Sequence, residues 1–223
     1  MISFHPTPAQ LQTFSAGSSQ PAMAIMLSAH LDMCAQCQAA SQRIHEVLAI
    51  EALSEEAPLS HHYTNMMSDI TLLPVAESPD ANTKNTEPST LELDGRHFTL
   101  PRALRRYQSK TGNWSRLAGK LWQAPVDLGD VGKATFIYME KGGKVPEHTH
   151  KGSELTLVID GQYSDGVAKY DCGDFTLMDA KNKHLPHSEA EEGCLVFTIV
   201  DKPLHFTSGI ARLLNPFSQL FFK

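Results

Sequence analysis

The sequence predicts a multi-domain chain of the α plus β class, with a small helical domain over residues 1–75, a linker over 76–90 and an all-β domain over 91–223. Three observations carry this. The first seventy residues are rich in Ala, Gln, Leu and Met, with few β-branched runs, a composition that favours helix. The stretch from Glu77 to Ser89 has no large apolar side chain and so has nothing with which to build a core. From Leu91 onward short apolar runs are punctuated by Gly and Asp, the pattern of strands in a sandwich or barrel.

Candidate helices run Pro8–Ala16, Pro21–Leu31, Cys34–Leu53 and Leu59–Leu72. Pro8 and Pro21 fall where a first-turn proline is tolerated, and Gly17 supplies a stop for the first helix. On the third helix Ile44, Val47 and Leu48 recur at helical spacing and are expected to face a small core. Candidate strands are Ala134–Met139, Leu155–Ile159, Gly166–Tyr170, Asp174–Met178 and Cys194–Val200. There is no solenoid-type repeat.

Charge and composition narrow the function. No apolar run approaches the roughly 20 residues of a membrane span, and the start, Met1-Ile2-Ser3-Phe4-His5, lacks the basic flank and apolar core of a signal peptide. A cytoplasmic protein is expected. Residues 1–90 carry a net charge of −7 and residues 91–223 one of +1. Such a field repels nucleic acid and attracts a basic partner. Four cysteines are a poor disulfide framework for 223 residues, so the close pair Cys34 and Cys37 suggests metal binding.

That pair belongs to His30-x-x-x-Cys34-x-x-Cys37. On continuous or nearly continuous helix, spacings of four and three put all three side chains on one face, and zinc favours such nitrogen and thiolate ligands. A fourth ligand is needed. His5, in an extended lead before Pro6, is the best candidate; His45, His61 and His62 are alternatives, His45 lying far along the same helix. A four-ligand site has no open position and is structural. The competing readings are buried small cysteines or a redox pair, and the latter lacks the strand-to-helix context it requires.

A second constellation reads Gly142, five residues, His148-x-His150, three residues, Glu154, six residues, Gly161. It matches the first cupin motif in full, and strand alternation points His148 and His150 to one face. The second motif starts at Gly173-Asp174 and ends eleven positions after the glycine, on His184 rather than His187. It departs from the pattern at Asp179, Lys181 and Ser188, where Pro, Gly and Asn are usual. Three imidazoles and a carboxylate suit zinc, iron, manganese or nickel.

Phe4-His5-Pro6, Phe14-Ser15-Ala16-Gly17 and the His30-to-Cys37 segment, in an acidic helical domain followed by a linker and a cupin, resemble the ChrR family of zinc-binding anti-sigma factors. One departure is Phe4, where members often have a second His. The resemblance implies a zinc-stapled helical bundle and a cupin (jelly-roll) barrel. It implies zinc on His5, His30, Cys34 and Cys37, and zinc or another divalent transition metal on His148, His150, Glu154 and His184. The implied partner is an extracytoplasmic-function sigma factor, bound one-to-one and released under singlet oxygen or a related oxidant, with no direct contact to nucleic acid or membrane. The chain would then regulate transcription and not act as an enzyme. The alternative is a cupin metalloenzyme, a dioxygenase or isomerase, with an appended helical module, but such an enzyme has no need of an acidic His/Cys domain. Candidate contact residues for the partner are Met23, Met26, Leu27, Met66, Met67, Ile70 and Leu73, with Leu27 and Ile70 the ones best suited to the core instead. Cys172 and Cys194 are expected to be buried structural cysteines.

Overall fold

In the computed structural model, residues 1–54, 61–74 and 89–207 are described. The predicted linker therefore lies outside the described residues except for its last two positions. Four helices come first: α1 (Pro8–Ser15), α2 (Pro21–Met33), α3 (Ala35–Ala52) and α4 (His61–Leu72). Thr7 opens α1 with a reciprocal capping box to Gln10, and Pro8 takes the first turn, where its missing N–H costs nothing. Pro21 does the same for α2.

The two helices expected on either side of residues 32–33 form, α2 running on to Met33 and the break falling at Cys34. That residue leaves the helical region (φ −117, ψ 99) and caps α3 with its own sulfur, which accepts from the Cys37 amide. The predicted core face of α3 is only partly used: Ile44 packs on the small cluster formed by Leu11, Cys34 and Cys37, whereas Val47 is 55% exposed. Ile70 of α4, assigned to the core, is also exposed. A helical unit this small has too few facing surfaces to bury every apolar stripe.

The remaining elements are β1 (Thr90–Leu93), β2 (Arg96–Thr99), the single turn α5 (Arg102–Arg105), β3 (Ser115–Ala118), β4 (Leu121–Val126), β5 (Lys133–Met139), β6 (Gly143–Lys144), β7 (His148–His150), β8 (Glu154–Ser164), β9 (Lys169–Asp171), β10 (Phe175–Met178), β11 (His187–Ser188), β12 (Cys194–Val200) and β13 (Leu204–Phe206). All pairings are antiparallel, in the order β3-β4-β5-β12-β8, with β9, β10 and β11 also on β8 and β11 continuing to β6. The long strand β8 is thus the spine of the domain. At Gly161 (φ +72) a Cβ would stand 2.0 Å from the Gly193 carbonyl oxygen, so the last glycine of the first motif permits a close backbone crossing. Four of the expected strands form, whereas Gly166–Tyr170 is reduced to β9, Gly166–Ala168 lying in the turn after β8; the β1–β2 hairpin, β3–β4, β6, β11 and β13 are additional to the expected set.

The helical and β regions share a core. Ile25, Met26, Leu27 and Ala29 of α2 join Leu91, Phe98, Leu104, Phe136 and Phe197 in one buried cluster. Asp32, at the end of α2, accepts from the Ala103 amide at 2.6 Å at the start of α5. Met26, named above as a possible partner contact, is fully buried with Leu27. Cys194 is buried as expected, but Cys172 is exposed, because it sits on the turn that precedes β10 rather than on a strand.

Candidate metal centres

Two groups of ligand-type side chains come together: His5, His30, Cys34 and Cys37 in the helical region, and His148, His150, Glu154 and His184 in the β region. Within each group the candidate ligand atoms all lie within 4.8 Å of one another. Either cluster could hold a metal ion.

In the helical cluster each residue comes from a different piece of structure. His5 lies on the extended N-terminal segment, His30 on α2, Cys34 at the break and Cys37 in the first turn of α3. The His5 Nδ1 atom is 3.5 Å from Cys34 Sγ and 3.4 Å from Cys37 Sγ. Nitrogen and sulfur ligands at about 2.0 and 2.3 Å from one tetrahedral ion would stand about 3.5 Å apart. His30 is fully buried. Its Nδ1 is 2.8 Å from the Gly173 carbonyl oxygen, which only accepts, so Nδ1 carries the proton and Nε2 offers a lone pair. That Nε2 is buried without a hydrogen-bond partner, the state expected of a ligand atom. Burial lowers the His30 pKa and keeps the ring neutral. Burial and the adjacent Cys34 thiol push Cys37 up to about 12; a divalent cation would reverse that by favouring thiolate. His45 is exposed on α3 and is not in the cluster; of His61 and His62 only the helical backbone is described.

In the second cluster the ligands are set by backbone pairing. His148 and His184 exchange two main-chain hydrogen bonds of 3.1 Å, and β13 flanks the other side, pairing Phe206 with His148 and Leu204 with His150. The His184 Nε2 atom lies 2.9 Å from His148 Nε2 and 3.0 Å from His150 Nε2. Three imidazole nitrogens this close suit ligation of one ion, for which edges of about 2.9–3.4 Å follow from bonds of 2.0–2.1 Å. The His148 Nδ1 atom donates to the Pro146 carbonyl oxygen at 2.8 Å, fixing the tautomer that leaves Nε2 free to bind. Glu154 brings Oε2 to 3.5 Å from His150 Nδ1, while its other oxygen accepts from Thr156 Oγ1 at 2.7 Å. Burial lowers His148 and His150 to about 4 each, so both are neutral at physiological pH. His187 is directed away, with Nδ1 3.0 Å from the Leu185 carbonyl oxygen.

The carbonyls of Gly173 and Pro146 were invisible to sequence reasoning, because every residue carries a carbonyl and only folding decides which one meets an imidazole.

Together these features define a protein in which a small helical unit with an S2N2 donor set is seated on a cupin-like β domain with an N3O set. Residues 103–202 match the family described as the ChrR cupin-like domain. The anti-sigma-E factor ChrR of Cereibacter sphaeroides is 27% identical over 222 residues, covering 98% of this chain and 99% of that protein. The crystal structure of Rhodobacter sphaeroides SigE in complex with the anti-sigma ChrR includes a chain with the same fold, at TM-score 0.64 and 24% identity over 90% of this chain and 100% of that one. The likeness to ChrR thus extends from the β domain to nearly the whole chain.

Proposed function

We propose that this chain is an anti-sigma factor that sequesters an extracytoplasmic-function sigma factor one-to-one and frees it under oxidative stress of the singlet-oxygen type. The observation that carries the reading is the relationship to an anti-sigma-E factor along 98% of the chain. The exposed surface is consistent with it. The α2 face is committed to the β domain, which leaves α3 and α4 for a partner. They expose Val47, Ile50, Leu53, Met66, Met67, Ile70 and Leu73, and a groove of about 710 Å³ runs between α1 and α3 past Leu11, Ile44 and Val47. Apolar surface of this extent on an acidic region fits a basic, apolar partner surface.

In this reading residues 1–75 bind sigma, 76–90 tether them, and 91–223 form a closed cupin barrel that senses the signal. His5, His30, Cys34 and Cys37 hold zinc, and His148, His150, Glu154 and His184 hold zinc or another divalent transition metal. A bound ion supplies charge that stabilises the thiolates and closes the helical unit around them. The chain's own contribution is occlusion: α3 and α4 cover sigma surfaces that polymerase and promoter would otherwise use. Thiolates and methionines are oxidisable, so Cys34, Cys37 and the α4 methionines lie where oxidation would disturb that surface.

The test is coexpression with an extracytoplasmic-function sigma factor from the same genome, followed by size exclusion and sigma-dependent transcription. Coelution at equal stoichiometry with transcription silenced is expected. A chain that coelutes with none of that genome's sigma factors of this group, while containing both metals, would overturn the reading.

A further inference from the structure

The helical cluster reaches into the β domain at one point. The turn Gly173–Asp174 that precedes β10 receives both the ring of His30 and the extended segment that carries His5. Its Gly173 carbonyl accepts from His30 Nδ1 at 2.8 Å. The Asp174 side chain is 1% exposed, and its Oδ1 accepts from the backbone amides of Ser3 at 2.6 Å and Phe4 at 2.9 Å. Its Oδ2 accepts from the Asp171 amide at 2.7 Å, within the turn itself. The next residue continues the docking, because the Phe175 amide donates to the Phe4 carbonyl at 3.0 Å. Gly173 has φ +92, and a Cβ there would stand 2.4 Å from Ile2 Cδ1, so the N-terminal segment lies flush against the turn. Phe4 completes the contact with its ring centroid 4.6 Å from that of Tyr170.

Each contact constrains a ligand of the helical cluster. One carboxylate oxygen holding two consecutive amides fixes the extended segment immediately before His5, and charge-assisted bonds of this length are among the stronger ones. The carbonyl fixes the tautomer and ring plane of His30, the outer-shell role that tunes metal sites elsewhere. Beside the ligands, the buried members of the helical cluster are Leu11, Cys34 and Cys37, with Ile2, Leu31, Ala40 and Ile44 partly buried against them.

We propose that the Gly173–Asp174 turn of the β domain is a positioning element of the helical metal centre, so that this centre reaches full affinity only while the N-terminal segment is docked on the β domain. The inference rests on the reading that the helical cluster binds a metal. The same turn opens the segment that ends at His184 of the other cluster, so one stretch of chain serves both centres.

The experiment uses the full-length chain, stripped of metal and titrated with cobalt(II) against a competing chelator. Thiolate-to-cobalt absorption reports the helical centre alone, since the other cluster contains no sulfur. Asp174→Ala removes the acceptor, and Ser3→Pro removes one donated amide without touching the β domain. Both are expected to weaken cobalt binding at the thiolate site about 10-fold or more, the range for outer-shell partners, and to alter the cobalt ligand-field bands. Metal retention at the sulfur-free site should be unchanged. Asp174→Asn keeps an oxygen for the Ser3 and Phe4 amides and is expected to restore most of the affinity. If Asp174→Ala fails to fold, Ser3→Pro decides. Wild-type affinity and spectrum in Ser3→Pro would overturn the proposal alone, whereas no thiolate band in the wild-type protein would overturn the metal reading and the proposal with it.

Discussion

The two clusters are assembled by different kinds of structure. His148 sits on backbone that is hydrogen-bonded on both sides, to His184 and to β13, and His150 is paired with β13, so the ladder fixes their spacing whether or not an ion is bound. His5, His30, Cys34 and Cys37 come from a docked extended segment, two helices and the break between them, and the cluster beside them buries only Leu11 and the cysteines, with Ile2, Leu31, Ala40 and Ile44 partly buried on it. Full burial of a leucine contributes about 1.5–3 kcal/mol, whereas a structural zinc in a small unit contributes about 10–16 kcal/mol. The β cluster is a scaffold that could accept a metal; at the helical cluster a metal would enlarge the small core around the ligands.

The largest effect is therefore expected from the helical ligands. Cys34→Ala or His30→Ala should remove one metal equivalent, reduce helical circular dichroism and abolish sigma binding, while the β domain keeps its cooperative melt and its own metal. Metal analysis, dichroism and a pull-down on the same sample check this. Sigma binding that persists in a Cys34→Ala protein shown to lack the helical metal would break the contrast between the two sites.

Acidification should sharpen it. In metal-free protein His148 and His150 are lowered to about 4, by burial first, with the neighbouring histidines adding to it, against an ordinary value near 6.5. The unfolded chain then binds more protons than the folded chain as pH falls from about 6.5 to 4, and stability is lost across that window. The raised Asp160 carboxyl offsets part of the loss at its lower end. The helical cluster adds one lowered histidine, His30, so the β domain should show the steeper acid dependence. Bound metal competes with protons for the same nitrogens and should move the loss to lower pH. Thermal melts of stripped and loaded protein across this range measure it; identical pH dependence in the two forms would mean the imidazoles are not where the metal binds.

Much of this was legible in the sequence because the signals were local. Proline at a first turn, His/Cys spacing and the glycine-bounded histidine motif all act over a few residues, and the four helices, the main strands and both ligand groups follow from them. What escaped depended on distant partners. Leu27 was assigned to a core, but the apolar positions of α2 gave no hint that Met26 would join it in the cluster that includes Phe136 and Phe197, because periodicity identifies a face and not its neighbour. The same blindness explains Ile70 and Val47, which have helical spacing but no facing surface. Cys172 was expected inside from residue type alone, and the turn on which it stands carries it out. Strands β1–β3 are only four residues long, too short for alternation to single them out, and their pairing is what defines them.

The smallest effects separate residues within the β cluster. His184 points its Nε2 at His148 and His150, while His187, three positions on, turns its Nδ1 to the Leu185 carbonyl instead. His184→Ala should therefore empty the β site of metal, as should Glu154→Ala to a lesser degree, because a carboxylate at the edge of three imidazoles contributes charge but not the shape of the site. Sigma affinity should stay within about twofold in both, since the surface assigned to sigma lies on α3 and α4, away from the changed residues. His187→Ala should leave metal content unchanged and alter stability by no more than about 0.5 kcal/mol, the usual range for a partly exposed side chain outside any network. Metal content of the purified variants, read beside their sigma affinity, distinguishes the three. Equal metal loss in His187→Ala and His184→Ala would mean that either histidine can reach the ion, and that the loop between them, rather than the backbone bridge at His148, sets the geometry of the site.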